Sequence, residues 1–554
     1  MTRSGGRILV DQLERHGVRM AFCVPGESYL DALDALYDSP IQLVVCRQEG
    51  GAAYMAEAYA KLTGAPGVCL VTRGPGASNA LVGVRTAWED RTPLVLIVGL
   101  VARRDRDREA FQEIDLRGVY GTTAKRVEVI DDATRIPEHA ARAFALARSG
   151  RPGPVVLGVP EDMLTDPADA CGVATPDATP FPVPEGALTP GDLTALHDLL
   201  GQARRPLAVL GGNGWTPEAV EQVQGFAERW SLPVAVDFRC QDHIDNESPA
   251  YVGPLGYGRD PRLAERLHEA DLVVAVGTTL GDVPTDGYTL LRVPEPGSRL
   301  VQVLPDPDPG GLVHRTTLRV VATPAAFARG LVESAPGAPV PWAAWAEAAR
   351  KDHVDRRTPA PDGDPLDMAL VMGELRDRLP GDAIVTLGAG NHALWAQRFL
   401  VHRRFPSQLG PRNGSMGYSV CAGVAAAIAE PARRVVAVTG DGCFLMNGQE
   451  IATALAYGAA PVILVANNAS YGTIRRHQER AYPGRVSGTG LVNPDFAAYA
   501  RAFGGYGEVV TRTEQVGGAL DRAFAAGTVA VLDLRMDRRR LAPGVTVDDV
   551  RTAP

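Results

Sequence analysis

The residues best placed to do chemistry are an acid and an amide that arrive at the ends of two consecutive strand-like runs. VVAVT, residues 435–439, ends in Gly440-Asp441-Gly442, a helix-like segment follows, and PVILVA, residues 461–466, delivers Asn467-Asn468. This puts an acid and an amide at the carboxyl ends of two parallel strands, where open α/β sheets bind ligands. Asp and Asn offer hard oxygens of the kind Mg²⁺ prefers, and Mg²⁺ completes its octahedron with phosphate oxygens and water. Between Gly442 and Asn467 lie 24 residues, 443–466.

The elements that must position these groups read as repeated strand–helix units. Residues 1 to about 165 alternate the two patterns, with strands at 20–24, 43–46, 67–72 and 93–99. That alternation predicts a parallel sheet with helices on both faces. A Pro-rich stretch from 166 to about 190 reads as a linker. A second unit, 190–335, has strand-like PLAVLGG, LPVAVD, ADLVVAVG and RLVQVL. A Pro/Ala-rich connector covers about 335–365, and the third unit, 366–554, carries Asp441 and Asn468. The expected class is α/β, with three doubly wound parallel-sheet domains. Residues 67–99 and 434–466 both run strand, glycine turn, helix, strand. The first and third units therefore read as two copies of one architecture, at too long a period for a solenoid.

Composition narrows the function classes. The net charge of -9 is spread along 554 residues, without a nucleic-acid footprint. No apolar run has transmembrane length, and the N-terminus reads as a short tail and an amphipathic helix rather than a signal peptide. The seven cysteines (23, 46, 69, 171, 240, 421, 443) are scattered without a C-x-x-C pair. That argues for reduced thiols in a cytoplasm, with neither a disulfide framework nor a zinc site. Lysine occurs only at 61, 125 and 351.

The spacing of Gly440-Asp441-Gly442 and Asn467-Asn468 resembles the signature of thiamine-diphosphate enzymes, and nearly the whole chain resembles their acetolactate synthase and benzaldehyde lyase branch. The resemblance implies thiamine diphosphate and Mg²⁺ as cofactors. It implies a pyrimidine-binding domain at 1–165, a central domain at 190–335 and a diphosphate-binding domain at 366–554. It also implies a homo-oligomer, dimer or tetramer, with active sites between chains. The first copy lacks the Asp and the Asn pair, so one copy would hold the cofactor's diphosphate and the other its ring. The implied metal ligands are Asp441, the Asn468 side chain and the Ser470 carbonyl, with Asn467 a turn residue. Gly440, Gly442, Cys443, Tyr471 and Gly472 complete the loops around the cofactor. Gly442 and Cys443 would offer backbone N–H groups at a helix start, where phosphate is favoured.

Three further segments carry the resemblance. GAGNHALW, residues 388–395, is similar to the diphosphate-side loop, with His392 and then Asn391 as phosphate contacts. Outside this pattern a lone loop histidine reads as solvated. In LGPRNGSMGYS, residues 409–419, Met416 would be the apolar wedge that bends the cofactor. The backbone groups of Gly414 and Met416 would address its aminopyrimidine. Glu49, in CRQEGGAAYMAEAYAK, matches the glutamate that shares a proton with the pyrimidine nitrogen and so activates the cofactor's own base. Glu57 reads instead as a helix cap or surface charge. TRGPGASN, residues 72–79, resembles a TSGPGxxN loop that closes over the partner chain's cofactor.

Within this family the reaction is decided by what the decarboxylated donor meets: a proton, a second carbonyl or an oxidant. AFQEID, residues 110–115, resembles the access-channel segment of acetolactate synthases and brings Phe111 and Gln112, Gln112 as a catalytic candidate. The other reading of that pair is packing beneath a loop. Lys125, 13 residues on, falls where that branch has a substrate-channel lysine. Glu27-Ser28 stand where several carboligases and decarboxylases place a histidine, and no His-His pair is visible, which lowers simple decarboxylation. His477 replaces a tryptophan that shapes the acceptor pocket and Thr473 replaces a methionine, while Ile474 keeps an apolar wall. The expected function is a carboligase joining a decarboxylated 2-oxoacid such as pyruvate to a carbonyl acceptor different from the housekeeping one. The alternatives are a 2-oxoacid decarboxylase or acyloin/benzaldehyde-type lyase, a non-catalytic cofactor-binding homologue, and a nucleotide-binding module on the central domain. GGNGW (211–215) and VGTTLGD (276–282) would suit a dinucleotide, but the arginine expected near a flavin is missing, which weighs against FAD. The C-terminal LAPGVTVDDVRTAP reads as a lid or a loose tail.

Overall fold

The computed structural model describes residues 3–168, 177–307 and 313–552. Three of its sheets have six parallel strands each. The first is built from β1 (Met20–Cys23), β2 (Gln42–Val45), β3 (Gly67–Val71), β4 (Leu94–Leu100), β5 (Arg126–Val129) and β6 (Pro154–Pro160), in the order β2-β1-β3-β4-β6-β5. The second is built from β7 (Pro206–Leu210), β8 (Val234–Val236), β9 (Tyr251–Pro254), β10 (Leu272–Val276), β11 (Arg299–Leu304) and β12 (Leu318–Val321), in the order β12-β11-β10-β7-β8-β9. The third is built from β13 (Ile384–Leu387), β14 (Gln408–Leu409), β15 (Val435–Gly440), β16 (Val462–Asn467), β17 (Tyr506–Val510) and β18 (Ala530–Arg535), in the order β14-β13-β15-β16-β18-β17. Rank for rank, the third sheet repeats the order of the first, as the matching segments 67–99 and 434–466 predict. The second has the order of dinucleotide-binding folds.

These strands are near-continuous apolar runs because both faces are covered. In β7, Leu207 and Val209 enter one buried cluster while Ala208 and Leu210 enter another. In β10, Val273 and Ala275 alternate with Leu272, Val274 and Val276 in the same way. Tertiary contacts divide the chain into two compact units. One runs to Pro184 and includes Val424–Ala429 and Ala452–Tyr457; the other holds the rest, including the second and third sheets.

Several expectations are corrected here. Glu57 is neither a cap nor a surface charge. It has no solvent exposure, and it accepts hydrogen bonds from Lys61 (2.9 Å) and Thr92 (2.6 Å). Lys61 also reaches Asp90 at 2.5 Å, and the cap of this helix is Gln48, which accepts from the Gly51 N–H. Lys61→Ala would leave two carboxylates buried without their cation, at a cost of about 3–5 kcal/mol. Denaturant unfolding should read that loss, and a change below about 1 kcal/mol would show the cluster to be solvent-screened. The connector at 335–365 holds a 15-residue helix, Ala343–Arg357, because its alanines favour helix and Ala346 and Ala349 are buried.

The C-terminal segment is folded as far as Thr552. An antiparallel pair, Arg540–Ala542 with Val545–Thr546, leads into the helix Val547–Thr552. Arg551 of that helix grips the fully buried Glu479 at 2.7 and 2.9 Å. Of the segment read as a linker, residues 169–176 and Cys171 lie outside the described residues, and 177–189 form no helix. The other six cysteines are free thiols. Among the described residues no helix is long and apolar enough to cross a membrane.

Candidate active site

In the first unit the candidate groups gather at the carboxyl ends of β2 and β3. Glu49 opens the helix Glu49–Thr63 directly after β2. The helix Gly74–Asp90 starts after β3 and packs against the helix Glu49–Thr63 so closely that a Cβ on Gly83 would lie 2.3 Å from that of Ala53. This contact, allowed by small residues, brings Asn79 to Glu49, where its side-chain amide donates to Oε2 at 2.9 Å. A Cβ on Gly76 would stand 3.5 Å from Glu49 Oε1, so the glycine turn leaves that oxygen approachable.

Gln112 docks on the same turn. Its carbonyl accepts the Gly74 N–H at 2.9 Å, and its backbone sits in the left-handed region at φ 62°. A non-glycine residue held there costs energy that the surroundings must supply. The neighbouring Phe111 is 75% exposed, which removes the reading of packing beneath a loop. Arg73, unassigned in the sequence reading, is the hub of this edge. It contacts Glu27 (2.8 Å), Glu161 (3.0 Å) and, more loosely, Gln112 Oε1 (3.5 Å). Arg73 stands where the TSGPGxxN pattern has its serine, and it pairs with Glu27 of the Glu27-Ser28 stretch that stands where several relatives place a histidine. The Glu27 carboxyl is held below its usual range by its own backbone N–H and by Arg73.

Lys125 is not a pocket residue. It precedes β5, at the amino ends of the parallel strands and hence at the edge opposite Glu49 and Gln112. Its ammonium donates to the carbonyls of Leu146 and Ser149, both at 2.5 Å, at the end of the helix Ile136–Arg148. A cation is favoured at such a helix C-terminus.

In the second unit the third sheet assembles the other candidates. Asp441 follows β15 and Asn468 follows β16, adjacent strands in register. Asp441 is 2% exposed, and burial raises its pKa although Asn493 and the Gly442 N–H donate to it at 2.7 and 2.9 Å. A buried carboxylate whose neutral donors do not offset its desolvation suits a bound cation. Asn468 Oδ1 accepts the Ser470 N–H at 3.1 Å, which curls the loop, and Ala469 holds φ 50° within it. The Ser470 carbonyl accepts the Gly472 N–H at 2.8 Å and keeps a lone pair. Tyr471 covers Gly442, where a Cβ would come within 2.5 Å of its ring. Asn467 is structural, as read: its amide donates to Asp533 at 2.8 Å and its oxygen accepts from Asn493 at 2.9 Å. Asn493, which the sequence reading missed, thus braces both strand ends.

His392 is buried, against the reading of a solvated loop residue. It begins the helix His392–Phe399 and fills a cradle of glycines. A Cβ on Gly388 or Gly440 would lie 2.8 Å from its ring nitrogens. Burial, with Arg239 second, lowers its pKa to about 3. Its Nε2 and the Asn391 Nδ2 are buried without a hydrogen-bond partner, as is the Ser419 hydroxyl. Such groups call for a polar ligand. Thr473 fixes Asn391, accepting its N–H at 3.0 Å and donating to its Oδ1 at 3.1 Å. Gly414 and Gly417 take φ 72° and 84° on either side of the half-buried Met416. The Gly417 N–H is tied to Cys443 Sγ at 3.1 Å. Among the described residues no cluster of three or more His, Cys, Asp or Glu can hold a metal, so an ion at Asp441 would draw on amide, carbonyl and ligand oxygens. Ile474 and His477 lie exposed one turn apart on the helix Gly472–Ala481.

The N-terminal TPP binding domain of the thiamine pyrophosphate enzymes matches residues 3–119, their central domain 193–331 and their C-terminal TPP binding domain 388–534. The chain belongs to the thiamine pyrophosphate enzymes. Within them it belongs to the acetolactate synthase branch. It is 33% identical to the acetolactate synthase large subunit of Parasynechococcus marenigrum (strain WH8102), over 97% of this chain and 88% of that one. It is 30% identical to the acetolactate synthase isozyme 2 large subunit of Escherichia coli (strain K12), over 96% of each.

Proposed function

We propose that the protein is a thiamine-diphosphate- and Mg²⁺-dependent carboligase that joins a decarboxylated 2-oxoacid, such as pyruvate, to a carbonyl acceptor. The observation that carries this is the kinship with acetolactate synthases over nearly the full chain, together with Gln112 held at the glycine turn beside Glu49. Asp441, Asn468 and the Ser470 carbonyl would hold the metal, and His392, Asn391 and the Gly440–Cys443 turn would face the diphosphate. Thiamine diphosphate, when bound, would supply nucleophilic chemistry at the donor carbonyl. Glu49 would hold a proton for exchange with the cofactor's pyrimidine, and Met416 would pack against the cofactor as its apolar support. Phe111 and Gln112 orient what enters. The exposure of Phe111 in the single chain supports a site completed by a second copy, hence a homo-oligomer, dimer or tetramer. The free thiols support a cytoplasmic setting.

Carboligation makes the acceptor part of the turnover. Adding a competent acceptor to enzyme, cofactors and pyruvate should accelerate CO₂ release, whereas release indifferent to every acceptor would favour the decarboxylase reading. His477→Trp is expected to move acceptor preference towards small 2-oxoacids, as measured by product ratios in competition. An unchanged profile would show that the position does not shape the pocket.

We assign no flavin to the central sheet. Asp237 follows β8, where dinucleotide folds keep their ribose-binding acid, but its carboxylate is already used. Oδ1 accepts the Phe238 N–H at 2.6 Å, and Oδ2 accepts the Thr278 hydroxyl at 2.6 Å and pairs with Arg412. The purified protein should lack flavin absorbance, and added FAD should leave activity and Tm unchanged. Flavin-dependent turnover would contradict this.

A further inference from the structure

The helix Gly472–Ala481 continues directly from the Asn468 turn and reads GTIRRHQERA. Its cations divide into two sets. Arg475 is 3.8 Å from the buried Glu479, on the side held by Arg551. Arg476, His477 and Arg480 have no acidic partner among the described residues. The Arg480 guanidinium donates to His477 Nδ1 at 3.0 Å, and Arg476 is half-buried. Burial, and then the neighbouring arginines, lower the pKa of both Arg476 and His477 from their ordinary values. Arg476 and Arg480 stand one turn apart, a like-charge spacing that disfavours the helix. Helical side chains lean over the preceding turn, which for Arg476 is Gly472-Thr473. Thr473 is itself hydrogen-bonded to Asn391. These basic residues, without an acid, therefore run along the helix away from the loop that carries the candidate metal ligands, beside the exposed Ile474.

We propose that Arg476, His477 and Arg480 form a subsite for an anionic group, so that the acceptor is a carbonyl compound carrying an anion remote from its reacting carbonyl, a phosphate or a carboxylate. This rests on the carboligase reading and names the acceptor class. A local rule broken without compensation is expected at functional sites, and two cations held apart from any acid are a ready receptor for phosphate or carboxylate oxygens.

The test uses matched acceptors with pyruvate as donor: glyceraldehyde 3-phosphate against glyceraldehyde, and 2-oxoglutarate against 2-oxobutyrate. The enzyme should favour the member of one pair that carries the remote anionic group by about tenfold to a hundredfold in kcat/KM, and that pair identifies the anion. Arg476→Gln and Arg480→Gln should remove the preference and Arg476→Lys should restore part of it. No preference in either pair, or one that survives both substitutions, overturns the proposal. Weaker thiamine diphosphate binding by Arg476→Gln with the preference intact also overturns it, by assigning the guanidinium to the cofactor. Should no acceptor give product, the carboligase reading fails, and calorimetry on the cofactor-loaded protein still decides the subsite. Saturable binding of glyceraldehyde 3-phosphate or of 2-oxoglutarate that is lost in both variants sustains it, and absent or unaffected binding of both refutes it.

Discussion

Glu49→Gln is expected to bind thiamine diphosphate normally and to lose about 10²–10⁴-fold in turnover. The replacement is isosteric. It can keep a hydrogen bond to Asn79, whose amide donates to Oε2 in the wild type, so the opening of the helix Glu49–Thr63 should survive. What it cannot do is gain or give up a proton, so the exchange proposed for Glu49 would be lost. The check is a pair of measurements on one preparation: cofactor affinity by calorimetry and steady-state kcat. Unchanged affinity with collapsed turnover sustains the assignment. Turnover within about twofold of wild type, a barrier change well below the contribution of a general acid, would remove Glu49 as the acid.

Asp441→Ala should abolish Mg²⁺-dependent binding of thiamine diphosphate. Asp441 supplies the one carboxylate of the proposed ligand set. It is buried, and its neutral donors leave its desolvation uncompensated. Its loss should cost more than the tenfold to about a hundredfold typical of an outer-shell partner. Asn493→Ala provides that lesser case, because Asn493 donates both to Asp441 and to Asn467 without being a proposed ligand. Cofactor titrations with and without Mg²⁺ read both variants. Binding by Asp441→Ala that still responds to Mg²⁺ would refute the metal site.

The elements of the site were legible where chemistry and spacing coincide along the chain. Asp441 and Asn468 end consecutive strand-like runs, and adjacent parallel strands necessarily bring such ends together. The repeated strand–turn–helix–strand pattern likewise announced two sheets of one order. What escaped depends on contacts through space. Asn493 lies 52 residues beyond Asp441, and no periodicity points to it. The Glu27–Arg73 pair spans 46 residues, and its signal was a double departure from the family pattern. Lys125 was misplaced because 13 residues of separation from Gln112 do not reveal which edge the chain has reached, and the segment crosses to the amino ends before β5. Glu57 was misread because the helix Glu49–Thr63 is built largely of alanine and glycine, with little contrast between its faces to mark the buried one. His392 was legible in position but not in burial, which follows from Gly388 and Gly440 closing around it.

The central claim is that a second carbonyl, rather than a proton, receives the decarboxylated donor. The direct measurement is mass spectrometry of products from enzyme, thiamine diphosphate, Mg²⁺ and ¹³C-labelled pyruvate with a panel of aldehyde and 2-oxoacid acceptors. A single coupled product carrying the labelled two-carbon fragment joined to the acceptor, formed only with both cofactors, is the predicted result. Labelled free aldehyde and CO₂ with every acceptor returned unchanged would contradict it.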